Sequence, residues 1–144
     1  MTEESRVLTL TRVFDAPREL VWTAYTDPEH IVKWMFAQDW ETPFAETDVR
    51  QGGAFRIGMR PADKSEEGFT VDGTYREVVR PERLVQELSD GRLLTTKFED
   101  QGGGKTKLTL SVEMAESEEQ ERTGYTQILE NFAKHLATLS VARR

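Results

Sequence analysis

The segment Ser117–Leu139, SEEQERTGYTQILENFAKHLATL, decides how the rest of the chain is read. Ser117-Glu118-Glu119-Gln120 has the capping-box pattern, with a hydroxyl for the free N–H groups and acidic residues at the positive end of a helix dipole. At 100° per residue, Tyr125, Ile128, Leu129, Phe132, Leu136 and Leu139 fall within an arc of about 100°. A helix of about 20 residues with so broad a stripe must bury it against something extended. Gly124, in its first turns, costs about 1 kcal/mol against alanine. Close approach of helix and sheet, or a kink, is the expected reason.

Upstream, from Phe44 to Met114, the apolar period is two rather than 3.6. Ala45–Arg50 reads as a short strand that turns at Gly52-Gly53. Phe55, Ile57 and Met59 alternate with Arg56, Gly58 and Arg60, the pattern of a half-buried antiparallel strand. A polar loop, Pro61–Glu67, precedes a strand over Phe69–Val79, with Phe69, Val71 and Tyr75 on one parity and Gly73 marking a bend. Strands over Leu84–Leu88, Leu93–Glu99 and Lys105–Met114 follow, and the glycine-rich Asp100–Gly104 forms a hairpin tip between the last two. At the other end, Arg6–Phe14 reads as a strand with Leu8 and Leu10 inward. Asp15-Ala16-Pro17 opens a helix whose apolar side is Leu20, Val21, Ala24 and Tyr25, with Trp22 at its margin. Asp27 caps a second short helix with Ile31, Trp34 and Met35 on its apolar side.

These elements predict an α+β fold: a curved antiparallel sheet of about six or seven strands wrapped around a long C-terminal helix, with two short helices after the first strand. Residues 1–144 read as a single domain, without repeat or linker. The absence of cysteine excludes disulfides, thiolate nucleophiles and Cys-ligated metals. A net charge of −7, from 19 Lys+Arg and 26 Asp+Glu, opposes binding to nucleic acid or anionic lipid. No apolar stretch approaches the roughly 20 residues of a membrane span, and the acidic start is unlike a signal peptide, so the expected location is cytoplasmic.

A sheet bent around one helix need not close on it along its whole length, and a gap lined by apolar side chains is a typical ligand site. The expected walls are Phe55, Ile57, Met59, Tyr75, Phe98, Leu108 and Leu110 from strands and Ile128, Phe132 and Leu136 from the helix, with Trp34 and Phe36 near the mouth. Taken singly, each of these residues also reads as core filling.

Val21-Trp22-x-Ala24, Thr26-Asp27-Pro28-Glu29, Trp34, Asp48-x-Arg50-x-Gly52-Gly53-x-Phe55, Gly73-x-Tyr75-x-Glu77 and Gly124-Tyr125-x-x-x-Leu129 occur in an order that resembles the activator of heat-shock-protein-90 ATPase homologue-like family. That family lies within the START-related helix-grip superfamily of polyketide cyclases, lipid-transfer domains and birch-pollen-allergen-like proteins. The resemblance runs from about Val7 to Leu139. It implies a helix-grip fold with a deep cavity between sheet and helix, and no particular ligand or catalytic residue. Where members often carry Gly-Trp, this chain has Gly124-Tyr125. The family's eukaryotic co-chaperones carry a separate client-binding N-terminal domain, so chaperone activation is not the expected activity.

Other chemistry finds little support. His30 and His135 are far apart in sequence and lack metal-ligand spacing; His30 is expected at the surface and His135 one position off the buried stripe. There is no nucleophile elbow, and the glycine runs lack a phosphate loop's Gly-Lys-Ser/Thr ending. Asp48, Asp72, Glu77 and Glu87 are the carboxylates that would serve acid–base chemistry if one faced the cavity, each reading also as a solvated outer-face group. The Glu113–Glu121 acidic run reads as a solvated helix start. The chain is therefore expected to bind a small hydrophobic or amphipathic molecule, lipid included, without cofactor or metal, as a monomer or homodimer. A cyclase- or hydrolase-type enzyme using a cavity carboxylate or tyrosine, and a co-chaperone-like interaction module, stand as alternatives.

Overall fold

A computed structural model describes residues 7–36, 38–115 and 117–142. Arg6, Glu116 and Arg143-Arg144 lie outside the described residues. Strand β1 (Val7–Phe14) leads into α1 (Arg18–Thr26) and α2 (Pro28–Ile31). Two short strands, β2 (Trp40–Glu41) and β3 (Ala45–Thr47), precede the meander β4 (Ala54–Pro61), β5 (Phe69–Val79), β6 (Arg83–Leu88), β7 (Leu93–Gly102) and β8 (Lys105–Glu113), and α3 (Glu118–Ala142) ends the described chain. The sheet has eight strands in the order β1-β8-β7-β6-β5-β4-β2, with β3 also on β4. The strand not counted from sequence is β2, whose two residues carry no alternation, so eight strands stand where six or seven were expected. Ala45–Arg50 is extended only to Thr47, because Arg50 N–H turns back onto the Asp48 carbonyl at 2.8 Å.

All pairings are antiparallel, and β1 returns to lie beside β8. The two short helices carry the chain from β1 across to the opposite edge, from which the hairpins walk back. Register makes the alternating residues into one inward stripe. Leu8 faces Val112 and Leu10 faces Leu110 across β1/β8, while Phe98 faces Leu108 across β7/β8. A Cβ at Gly73 would lie 2.0 Å from the Glu87 carbonyl oxygen, so only glycine lets β6 approach there, two residues before a register shift between Tyr75 and Glu77.

The helix ends behave as their sequences predict. Asp27 accepts from Glu29 N–H at 2.9 Å, and Ser117 Oγ from Gln120 N–H at 3.2 Å. Pro17 stands just outside α1, as its cap, rather than inside the first turn. Trp22 is buried, not marginal, and meets Phe98 edge-on at 5.3 Å. Where α3 closes on the sheet, Phe132 is fully buried, with Phe14 at 5.2 Å, Tyr25 at 5.7 Å and Trp34 at 4.6 Å between ring centroids. Arg12 of β1 pairs with Glu130 of α3 at 2.8 Å above this contact.

The two histidines meet. His30 on α2 and His135 on α3 are joined Nδ1 to Nε2 at 2.8 Å, so His30 is half-buried at a helix–helix joint rather than at the surface. Among the described residues no three His, Asp or Glu side chains form a metal-binding group.

Two consequences follow for stability. Phe132→Ala removes a ring that three aromatic neighbours enclose, and should cost about 3–5 kcal/mol, read as a lower urea midpoint at unchanged slope. Burial, then His30, then Lys33 lower the pKa of His135 below the ordinary histidine value. The unfolded chain then binds more protons than the fold, so stability complete above about pH 6.5 is lost as pH falls below it. The urea midpoint should drop between pH 7.5 and 5.5, and His135→Gln should flatten that slope.

Candidate functional site

Packing is not uniform along α3. Its second half presses Phe132 and Leu136 into the core, while its first half stands off from β4, β5 and β6. Between them lies a cavity of about 290 Å³. Of the residues expected from sequence, Trp34, Phe55, Ile57, Met59, Tyr75, Leu110 and Ile128 are on its wall. Phe98, Leu108, Phe132 and Leu136 are instead in the solid core, where α1 and the end of β1 close the sheet against α3. Phe36 is also off the wall, and its carbonyl accepts from Asn131 Nδ2 at 2.7 Å. One helical turn separates Ile128 on the wall from Phe132 in the core, a distinction that a stripe drawn on a helical wheel does not make.

The sequence reading missed Tyr25, Ile31, Met35, Phe69, Val71, Leu84, Leu88, Leu94 and Leu129 of the apolar wall, and five further residues of another kind. Gln86, Arg92, Glu121 and Tyr125 bring polar groups to it, and Gly124 opens it. Parity was the available signal for Gln86, since Leu84-x-Gln86-x-Leu88 puts an amide in an inward row. Gly124 has an explanation other than the one expected: a Cβ there would meet nothing within 4 Å, so no close approach demands the glycine.

Polar contacts fix the rear of the wall. Tyr25 Oη shares a hydrogen bond with Thr96 Oγ1 at 3.0 Å, and Trp34 Nε1 donates to the Ala24 carbonyl at 2.9 Å. The two rings stack at 5.3 Å. At the front, Arg92 donates to Asp90 Oδ2 at 2.9 Å and to the Glu113 carbonyl at 3.2 Å, and stands 3.8 Å from Glu121 Oε1. Glu121 also accepts from Ala115 N–H at 2.6 Å. Burial pushes the Tyr25 hydroxyl up to about 12, offset in part by the Thr96 bond. It raises Tyr75 too, helped by Tyr25 and Asp48, and it raises Tyr125, helped by Glu121. All three phenols are neutral at pH 7.

The carboxylates singled out from sequence are elsewhere. Glu77 pairs with Arg83 at 2.9 Å, Glu87 with Arg76 at 2.8 Å and Asp48 with Arg50 at 2.9 Å, and neither these nor Asp72 is on the wall. They serve the outer face, where exposed ion pairs contribute at most about 1 kcal/mol each.

Comparison with known proteins agrees with this architecture. A family model described as Activator of Hsp90 ATPase homolog 1-like protein matches residues 15–139. The solution structure of an AHSA1-like protein from Aeromonas hydrophila is similar, with 29% identity, a TM-score of 0.81 and coverage of 92% of this chain and 94% of that one. A solution structure from Cytophaga hutchinsonii has 27% identity and a TM-score of 0.76 over 94% of each chain. A crystal structure from Nitrosomonas europaea shares the fold at 21% identity, with a TM-score of 0.81 and coverage of 97% and 99%. No curated protein matches the chain.

Because a methyl group at position 124 would enter open space, Gly124→Ala should raise the unfolding free energy by about 1 kcal/mol, the helix-propensity difference. Denaturant titration measures it, and a lower stability would mean that packing holds this glycine after all.

Proposed function

The chain belongs to the activator of Hsp90 ATPase homolog 1-like family, and on that footing we propose that it binds a small hydrophobic or amphipathic molecule between β4–β6 and the first half of α3. The observation that carries this reading is a cavity of about 290 Å³, walled mainly by carbon, beside the aromatic packing around Phe132. Such spaces, with a few polar groups among apolar walls, are the usual form of small-molecule sites. One or two rings, or a short chain, fit that space.

Affinity would come from apolar burial. A ligand burying about 250 Å², the area of a large aromatic side chain, gains roughly 6 kcal/mol at about 25 cal/mol per Å² before the cost of association. Trp34, Phe55, Ile57, Met59, Tyr75, Leu110 and Ile128 would supply the contact. The wall's carboxylate, Glu121, is held by Ala115 N–H and faces Arg92, which gives no support to an acid–base role. The acidic, cysteine-free composition fits a cytosolic protein acting as one binding unit over residues 1–144. Among the described residues no helix is long and apolar enough to cross a membrane.

Ile128→Trp fills the cavity from the helix side. Wild type should raise the fluorescence of a neutral apolar probe such as N-phenyl-1-naphthylamine, and native mass spectrometry of fresh protein should find a co-purifying small molecule. The variant should keep its circular dichroism and lose both signals. Equal probe binding by the two proteins would end the proposal.

A further inference from the structure

We infer that the molecule taken up by this cavity is uncharged and carries a carbonyl or hydroxyl oxygen, recognised by Tyr75 and Gln86. The inference rests on the cavity reading above and adds the chemical class of the occupant. Tyr75 and Gln86 are directly opposed in the β5/β6 register, so their side chains rise side by side from one face of the sheet. Both line the cavity, at 2% and 8% exposure.

Among the described residues, neither side chain makes a hydrogen bond to protein, although every polar side-chain atom sealed off from open space has a partner. Their polar ends therefore open onto the cavity. The contrast with the rest of the interior is what gives this weight. The buried threonines 26, 42 and 106 each donate to a carbonyl, Thr96 is bonded to Tyr25, and His135 is bonded to His30. Burying a polar group without a partner is costly, and a site that leaves two such groups adjacent selects a molecule able to answer them.

The groups at hand also set the charge of that molecule. A phenol and an amide can each donate to an oxygen, and the amide and the hydroxyl can accept from one. Without a net positive charge they offset only part of the cost of burying an anion. The cation on the wall, Arg92, is already bonded to Asp90 and faces Glu121. An anionic ligand would meet the Glu121 carboxylate there as well as a guanidinium already paired with Asp90.

Three compounds of one shape test this: 2-acetylnaphthalene, 2-isopropylnaphthalene and 2-naphthoate, titrated by calorimetry against wild type and Tyr75→Phe/Gln86→Leu. Because neither replaced group bonds to protein, the variant should fold with wild-type circular dichroism. It should bind the hydrocarbon at least as tightly as wild type does, and its preference for the ketone over the hydrocarbon should fall about tenfold. The naphthoate should bind more weakly than the ketone to wild type. An unchanged preference in the variant, or a naphthoate that binds more tightly than the ketone, overturns the assignment of class and leaves the cavity reading standing. If wild type takes up none of the three, the cavity reading itself fails and this inference with it.

Discussion

Phe132 enters the hollow of the sheet where Phe14, Tyr25 and Trp34 converge, and that four-ring contact sets the position of α3. One ring comes from β1, one from α1, one from the turn after α2 and one from α3, so four separate stretches of chain are tied at a single point. The Arg12–Glu130 and His30–His135 pairs add direction on either side of it. α3 is held against β1 by its second half, and its first half stands off from β4, β5 and β6. The space under its first half is thus a consequence of where the aromatic contact sits.

The fold was legible because two different periods are written plainly in the chain. Alternation in Phe55-x-Ile57-x-Met59 and Leu108-x-Leu110-x-Val112, and the wide arc from Tyr125 to Leu139, leave few ways to bury both surfaces except against each other. Part of the cavity wall was legible for the same reason, since residues on the inward parity of central strands had to face the helix. What could not be read was the depth of contact along α3. Ile128 and Phe132 lie on one stripe and are both apolar, yet one borders space and the other is enclosed, and that difference arises from the rings of Phe14, Tyr25 and Trp34, which three other stretches of chain bring to Phe132. The meeting of His30 and His135, 105 residues apart, is likewise a product of tertiary placement that no local pattern encodes.

Charge is distributed so that the sheet's outer face carries its own neutralisation. Arg76 with Glu87, Arg83 with Glu77 and Arg56 with Glu46 are pairs across or along strands, all solvated. They contribute little to stability but keep a surface of net charge −7 from being a uniform field. The interior follows the opposite rule. Its polar groups are few and nearly all are bonded: on the cavity wall Glu121 faces Arg92 and accepts from Ala115 N–H, which leaves the Tyr75 and Gln86 dipoles to the space itself.

Two features of the chain weaken it without any compensating contact in the protein: a glycine inside a long helix and an unpaired amide inside an apolar row. Chance would scatter such costs, and a packing requirement would place a neighbour within reach of the missing Cβ. Neither holds here. Gly124 and Gln86 border the same space from opposite sides, one from the helix and one from the sheet. A solid core would be served better by alanine or a larger residue at the first position and leucine at the second. Both departures make sense together if the space between them is kept for something that fills the volume and meets the amide.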